Sequence, residues 1–476
     1  MRSVTVLGGG IGGLAASYYL AKNPQVTKVI VLESSSRFGG WLWSTRRSDG
    51  AVFEHGPRGI RPSGAVGRNT LNMVDELGLA GEILPVTYSH VASKNRYLYV
   101  KGQLHRMPSR ISGLLWTLPP FSRPLLFNVV KEMLVKKGNK EDETMHSFVS
   151  RRLGKELADI AVDSFCRGVF AGDCRKLSVR SCFPPLFNAE QRRGSLILGM
   201  LLGSGPGPMV PPGPLAQRSV KESWAQWSLR RGVESLPEAI VEHLGQNKRV
   251  HLHRDTPVKH VSPSASGWTI HLEDGVIHTD HIVSALPAKT LSSALPASCQ
   301  PLIQQLQDIS TVTVAVVNLE YEGSILPVMG FGHLVPSAED QGLLGIVYDS
   351  VPFPQHNRPD GHTTRLTVMM GGAWFQEVFG TPEDVKEVDL LNRATEAVRC
   401  HLGVTTEPTW SWVGLHKDCI PQYYLGHFKK IESMRGFIKE NNLPLSLVGS
   451  SYDGVSVNDV IFHGRTAVEK LLGAEV

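Results

Sequence analysis

The sequence predicts a mixed α/β and α+β protein: a Rossmann-like nucleotide-binding domain assembled from separated segments, a mixed-sheet domain and a helical segment. Three observations carry this. A strand, a glycine turn and a helix follow one another at the start of the chain. Strand-rich stretches recur near 250–285, 310–375 and 443–449. A basic block rich in Trp, Phe and Leu interrupts them between about 92 and 215. At 476 residues the chain has room for about three domains, or for two with one discontinuous. Hydrophobic residues at 41% and charged residues at 20% exclude a disordered tail or a low-complexity fibre.

The first element is Val4-Thr5-Val6-Leu7, a buried parallel strand. Gly8-Gly9-Gly10-Ile11-Gly12-Gly13 follows and matches G-x-G-x-x-G at Gly8, Gly10 and Gly13. Leu14 to Leu20 reads as a helix, and Lys28 to Glu33 as a second strand ending in an acid. Gly8 permits a tight turn, Gly10 lets the backbone approach a pyrophosphate, and Gly13 allows close helix–sheet packing. The helix N-terminus then offers N–H groups and a positive dipole to phosphates. Glu33 follows Gly13 at the spacing where an acid binds a ribose hydroxyl. Together these make a Rossmann-like dinucleotide site.

The acid continues as Glu33-Ser34-Ser35-Ser36-Arg37-Phe38-Gly39-Gly40. This extension resembles the flavin-binding superfamily that includes amine oxidases, phytoene desaturases and protoporphyrinogen oxidases. The resemblance implies non-covalent FAD, held by the glycine turn together with Glu33, Ser34, Arg37 and Gly40, with Trp41 covering part of it. Gly56-Pro57-Arg58-Gly59 resembles the next flavin-contacting loop, and Val258 is assigned to the same site. The tail supports this: a strand over 443–448 runs into a small-residue turn at Gly449-Ser450. Val455-Ser456-Val457 then leads to a helix near 464–468, which in these flavoproteins returns to the ring of the cofactor. Cys419 raises a covalent flavin, but its His416-Lys417-Asp418-Cys419-Ile420 context does not resemble such an attachment site.

The FAD-binding domain is thus expected to combine residues 1–90, 230–300 and 440–476. Within it, Trp227 to Pro237 reads as a loop opening a helix. Val250–His253 reads as a short strand, and Trp268–Leu272 and His281–Ala285 as a strand pair. Residues 301–439 are expected to form a substrate-binding mixed sheet, with strands at 311–319, 345–349 and 365–372 and a helical stretch near 382–402. Residues 92–215 are expected to form a helical membrane-associating domain.

That expectation rests on charge and apolarity together. Residues 92–155 hold 13 Lys+Arg against 4 Asp+Glu, a balance of +9 in a chain whose total is +5. The block includes Ile111 to Leu118, Phe121 to Phe127, and Val129 to Val135 with Lys131, Lys136, Lys137 and Lys140 interspersed. An interfacial anchor needs such a mixture, apolar groups entering the acyl boundary and cations meeting anionic headgroups. A soluble helical cap with a solvated basic face fits the same residues. No nucleic-acid-reading motif accompanies the charge, so nucleic acid is not expected as a partner. Gly203 to Pro214 reads as a loop. No run reaches the roughly 18 apolar residues of a spanning helix, and from the strand-like start at Val4 no cleavable presequence is expected. The six cysteines show no CxxC pair or metal-ligand spacing, so reduced thiols and no metal are expected.

Several blocks narrow the resemblance to the protoporphyrinogen oxidase family of the animal mitochondrial type. These are Asn95 to Tyr99, Cys166 to Asp173, Phe331 to Pro336, Leu415 to Tyr423 and Val448 to Val455. The resemblance implies six-electron oxidation of protoporphyrinogen IX to protoporphyrin IX, with dioxygen reoxidising FAD to give hydrogen peroxide, as the penultimate step of haem biosynthesis. It also implies a homodimer, peripheral on the intermembrane-space side of the mitochondrial inner membrane, with the next haem-pathway enzyme as a further partner.

The substrate is a flat apolar macrocycle with two propionates, so its pocket needs aliphatic walls and a cation. Arg96 matches the family's propionate-binding arginine, and its fork suits a carboxylate. Leu334 and Met369 match ring-clamping positions, with Phe331, Gly332, Val347 and Phe170 as neighbours. His333 reads as a structural histidine ahead of a base candidate; water can take the proton instead. The flavin carries the redox chemistry, and the protein positions the substrate and excludes water. An amine or polyamine oxidase on the same scaffold is the alternative, and it would require an aromatic cage. A carotenoid-type desaturase and an FAD-bound scaffold without turnover stand further off.

Overall fold

The strand Arg2–Leu7 is the centre of a five-stranded parallel sheet. In spatial order its strands are Leu445–Leu447, His281–Ser284, Arg2–Leu7, Val26–Leu32 and Val250–His253. Val6 pairs with Val31 on one side and Val283 on the other. Val4, Thr5, Val6 and Leu7 have no exposed surface, because helices cover one face of the sheet while Val261, Trp268 and Ile270, with residues 288–306, pack against the other. The computed structural model describes residues 2–109, 115–202, 209–359 and 361–473.

The first helix, Ile11–Lys22, packs against the last, Val457–Leu472. Their approach is close at Gly464, where a Cβ would lie 3.3 Å from the Gly12 carbonyl oxygen. Both ends of the chain therefore meet over one face of the sheet.

Two local expectations change. Trp224–Leu229 is a strand paired with Ile83–Thr87, and the expected helix begins only at Ser235. Two indoles, Trp224 and Trp227, are buried there, which a loop could not achieve. Gly267–His271 and His281–Ser284 lie in different sheets: the former is the middle strand of an antiparallel three-stranded sheet. Asp280 accepts the Ser3 N–H at 2.8 Å and turns the chain back into the parallel sheet.

The largest sheet has seven strands, in the order Trp410–Pro421, Thr311–Glu322, Thr363–Gly372, Leu343–Val347, Gly332–Leu334, Tyr97–Val100 and Gln103–Arg106. Its last two strands come from the start of the basic block, which sequence reasoning assigned wholly to helices. The alternating burial of Tyr97–Val100 and the pairing of Leu98 with Leu334 place the first in the sheet, and Gln103–Arg106 pairs with it at the edge. The rest of the block is helical, with Met145–Leu153, Asp163–Phe170 and Pro184–Arg193 around Phe148, Cys166 and Leu177. Residues 111–114 of its apolar run and 203–208 of the expected loop lie outside the described residues. Among the described residues no helix is long and apolar enough to cross a membrane. All six cysteines are free thiols.

Candidate active site

The glycine turn is shaped by exclusion. Gly8 has φ +95°, a conformation that side chains rarely adopt. A Cβ on Gly13 would stand 1.9 Å from the Gly8 carbonyl oxygen, and one on Gly12 would strike Val460 at 3.0 Å. Gly10 is the N-cap residue of the first helix, and no side chain caps it. With Gly9 and Ile11 these residues leave a helix N-terminus without a protein side-chain cap, ready for an anion. Glu33 is half-buried beside it and accepts the Gly9 N–H at 2.7 Å and the Ser35 N–H at 2.8 Å. Ser34 follows, exposed. Thr256 donates its N–H to the Glu33 carbonyl at 2.9 Å, which brings the segment ending at half-buried Val258 alongside the acid.

The Arg37 guanidinium donates to the carbonyls of Phe38, Gly40 and Leu42 at 2.9–3.2 Å and forms an ion pair with Glu234 at 3.6 Å. It thereby fixes the Gly39–Gly40 turn, which is tied to the glycine loop through Gly39 N–H to Gly9 O at 2.9 Å. Trp41, 44% exposed, meets the His416 ring edge-on at 5.2 Å. In the following loop a Cβ on Gly56 would lie 2.1 Å from the Trp41 carbonyl oxygen, so Gly56 and Pro57 pass directly over that residue. Arg58 is buried and pairs with Asp349 at 2.6 Å, while its Nη2 has no partner. Gly59 abuts the Gln226 side chain.

The tail closes the cradle. Gly449 comes within 3.3 Å of the Cβ position on Gly12. The Ser450 carbonyl accepts from the Tyr423 hydroxyl. Val455 precedes Ser456, whose hydroxyl caps the last helix by accepting from the Asp459 N–H, and Val457 is its first residue. Asn458 donates to the Arg61 carbonyl at 2.8 Å and keeps a buried Oδ1 without partner. A narrow glycine cradle, an acid beside it and orphaned buried polar atoms at its far side fit a long dinucleotide.

Beyond this cradle the seven-stranded sheet presents a row of three residues. Leu334 pairs with Gly345, and Gly345 with Met369, so all three share one face across three strands. The neighbouring row pairs Gly332 with Val347. Leu334, Val347 and Met369 are each half-buried, and Gly345 carries no side chain between the clamping pair. The asymmetry continues at Gly168, where a Cβ would lie 2.7 Å from the Leu334 Cδ2. Gly345 and Gly168 were missed from sequence; an isolated glycine within a strand pattern is the signal that could have found the first. Phe331 is half-buried at the entry to Gly332.

Phe170 and His333 do not share that face. Phe170 packs among Met145, Phe148 and Leu177, its carbonyl accepting from Gln422 at 2.8 Å. His333 points to the opposite side of its strand, hydrogen-bonded to the Tyr348 hydroxyl at 2.8 Å and to His401 Nδ1 at 3.0 Å. Burial holds it well below the ordinary imidazole pKa, with His401 adding to this. The geometry makes it structural. The Cys419 thiol lies against the Val312 carbonyl at 3.3 Å, and burial pushes its pKa up to about 12.

Arg96 directly precedes the strand that pairs with Gly332–Leu334, and its carbonyl accepts the Met107 N–H at 2.8 Å. Its side chain is exposed and forms no hydrogen bond or ion pair among the described residues. Desolvation and the nearby Arg61 charge both lower its pKa from the ordinary value. Arg61 was not singled out in the sequence.

The chain matches the family described as flavin containing amine oxidoreductase over residues 11–472. It is 52% identical to protoporphyrinogen oxidase of Homo sapiens over 476 residues, covering all of this chain and 99% of that protein. It is 27% identical to coproporphyrinogen III oxidase of Bacillus subtilis, covering 99% and 98% of the two chains. A crystal structure from Exiguobacterium sp. 255-15 superposes with a TM-score of 0.79 at 22% identity, covering 99% of each chain.

Proposed function

The chain belongs to the flavin containing amine oxidoreductase family, and from that premise we propose that it oxidises protoporphyrinogen IX to protoporphyrin IX with FAD, in haem biosynthesis. The observation that carries this reading is the row Leu334–Gly345–Met369. It makes a flat aliphatic wall with a gap in its middle, suited to a macrocycle, and Arg96 flanks it without an anion. An amine oxidase would want aromatic walls at this position.

FAD, when bound, accepts the hydride removed from a ring-bridging carbon. The glycine turn, Glu33 and the last helix would hold it; Leu334 and Met369 orient the macrocycle; Arg96 binds a propionate. With His333 on the far side of the sheet, a pyrrole proton leaves to water. Dioxygen is the terminal acceptor in this reading, and hydrogen peroxide the product.

The membrane reading is part of the same proposal. Trp116, Phe127 and Leu134 are respectively 70%, 66% and 80% exposed. Met200, Leu201 and Leu202 extend the apolar surface from the neighbouring helix, with Lys131, Lys136 and Lys137 nearby in the chain. These features support peripheral attachment to an anionic bilayer, for which the inner mitochondrial membrane on its intermembrane-space side is the compartment proposed. A homodimer and hand-over of product to the next haem-pathway enzyme complete the reading.

The test is substrate dependence of Arg96→Ala. The variant should keep its FAD and raise the Michaelis constant for protoporphyrinogen IX by about tenfold, as loss of a charge-assisted hydrogen bond implies. Loss of FAD instead would reject the assignment.

A further inference from the structure

The loop that follows the Arg58–Asp349 pair carries a second cation with nothing to neutralise it. Other arginines in this part of the chain are engaged: Arg37 on three carbonyls, Arg46 on Glu238 at 2.7 Å, Arg58 on Asp349 at 2.6 Å and Arg68 on the Val210 carbonyl at 3.0 Å. Arg61 is exposed and makes no side-chain hydrogen bond or ion pair among the described residues.

Its backbone is nevertheless held firmly. Ile60 exchanges two hydrogen bonds with Trp227 at 2.8 Å, Pro62 is buried, and the Arg61 carbonyl accepts from Asn458 in the first turn of the last helix. This fixes Arg61 where the cradle ends. The Arg58–Asp349 pair also holds this loop against the seven-stranded sheet two residues past Val347, and Arg96 enters the same sheet beside the Gly332–Leu334 strand that pairs with Val347, where the Arg61 charge helps to lower its pKa. Among the described residues neither guanidinium has a hydrogen-bonded or ion-paired partner, so both are open to an incoming anion. Arginine presents a fork matched to carboxylate.

We propose that Arg61 is a second carboxylate-binding residue of the substrate site, acting with Arg96 to neutralise the paired carboxylates of the tetrapyrrole. This rests on the porphyrinogen reading above. It makes the enzyme selective for substrates whose carboxylates lie together on one edge of the macrocycle, with the apolar remainder lying along Leu334, Gly345 and Met369.

The test is a cycle between protein and substrate in the FAD-loaded full chain. Arg61→Ala, Arg61→Lys and Arg96→Ala are each assayed with protoporphyrinogen IX and with its dimethyl ester. With the diacid, Arg61→Ala should raise KM by about tenfold while kcat, flavin content and the flavin absorption band stay unchanged. Arg61→Lys should fall between Arg61→Ala and the parent protein. With the diester, the parent and both Arg61 variants should have the same KM. An Arg61→Ala effect of equal size on diacid and diester would overturn the proposal, as would an unchanged KM for the diacid or loss of flavin. If Arg96→Ala discriminates diacid from diester and Arg61→Ala does not, the porphyrinogen reading stands and the role of Arg61 falls. If the parent protein oxidises neither, the reading itself falls.

Discussion

The Arg152 guanidinium lies 2.6 Å from the Glu132 carboxylate, and neither side chain has exposed surface. Arg152 also donates to the Val135 carbonyl at 2.9 Å and lies 3.2 Å from Glu190. Glu132 in turn accepts from the Ser195 hydroxyl at 2.6 Å and from the Leu196 N–H at 2.7 Å. One ion pair therefore fixes both Leu125–Leu134 and Leu196–Leu202, the helices that carry much of the exposed apolar surface. A polar knot beneath an apolar surface lets those side chains face outward on a rigid base.

Breaking this pair from one side should be costly. Glu132→Ala leaves the buried Arg152 guanidinium with Glu190 as its remaining carboxylate and orphans the Ser195 hydroxyl and the Leu196 N–H, so it is expected to destabilise the protein by about 3 kcal/mol. Thermal unfolding of the FAD-loaded protein measures this. A melting temperature equal to that of the parent would contradict it.

The outward face itself should bind lipid. Vesicles containing anionic lipid should capture the protein at low salt and release it as salt rises, each basic residue near the surface contributing about 1 kcal/mol. Replacing Trp116, Phe127 and Leu134 together with Ser should abolish capture without altering FAD content. Persistence of capture in that triple variant would reject this surface as the contact.

Gly13→Ala tests the cradle. Its new Cβ would require the Gly8 carbonyl 1.9 Å away to move, which deforms the turn that receives the phosphates. The purified variant should contain little flavin by absorbance, while far-ultraviolet circular dichroism stays close to the parent's. Full flavin occupancy would show that the turn does not grip the cofactor.

Acid should destabilise the fold in a defined window. Burial lowers the pKa of His55, His281, His356, His401 and His427 to about 4, against an ordinary 6.5. Between those values the unfolded chain binds protons that the native chain does not, so stability falls as pH drops from about 6.5 to 4. Glu54 opposes this: burial raises its pKa to about 7, so it holds a proton in the native state that the unfolded chain releases. Five groups against one leave the first trend dominant. The melting temperature should be lower at pH 5 than at pH 7; the reverse would contradict this balance.

The glycine turn was legible because its function constrains local backbone: Gly8, Gly10 and Gly13 each exclude a side chain for a reason written in consecutive residues. The long spacing to Glu33 was legible for the same reason, since a strand and a helix of fixed rise set it. The Leu334–Gly345–Met369 row was not, because it depends on the registers of two antiparallel pairings that no local pattern specifies. Leu334 and Met369 came from family resemblance; the glycine between them did not. The strands at 97–106 were hidden by their charge-rich surroundings, where pairing with 332–334 overrode composition. Arg61 was invisible because an unpaired arginine is defined by what fails to surround it.

The most direct measurement loads the purified chain with FAD, mixes it anaerobically with protoporphyrinogen IX, and then admits dioxygen while porphyrin fluorescence and oxygen uptake are followed together. The yellow band should bleach on mixing, then recover with oxygen uptake, and porphyrin fluorescence should rise well above the rate of uncatalysed oxidation. A flavin that stays oxidised with the porphyrinogen, yet bleaches with a primary amine or polyamine, would contradict the account.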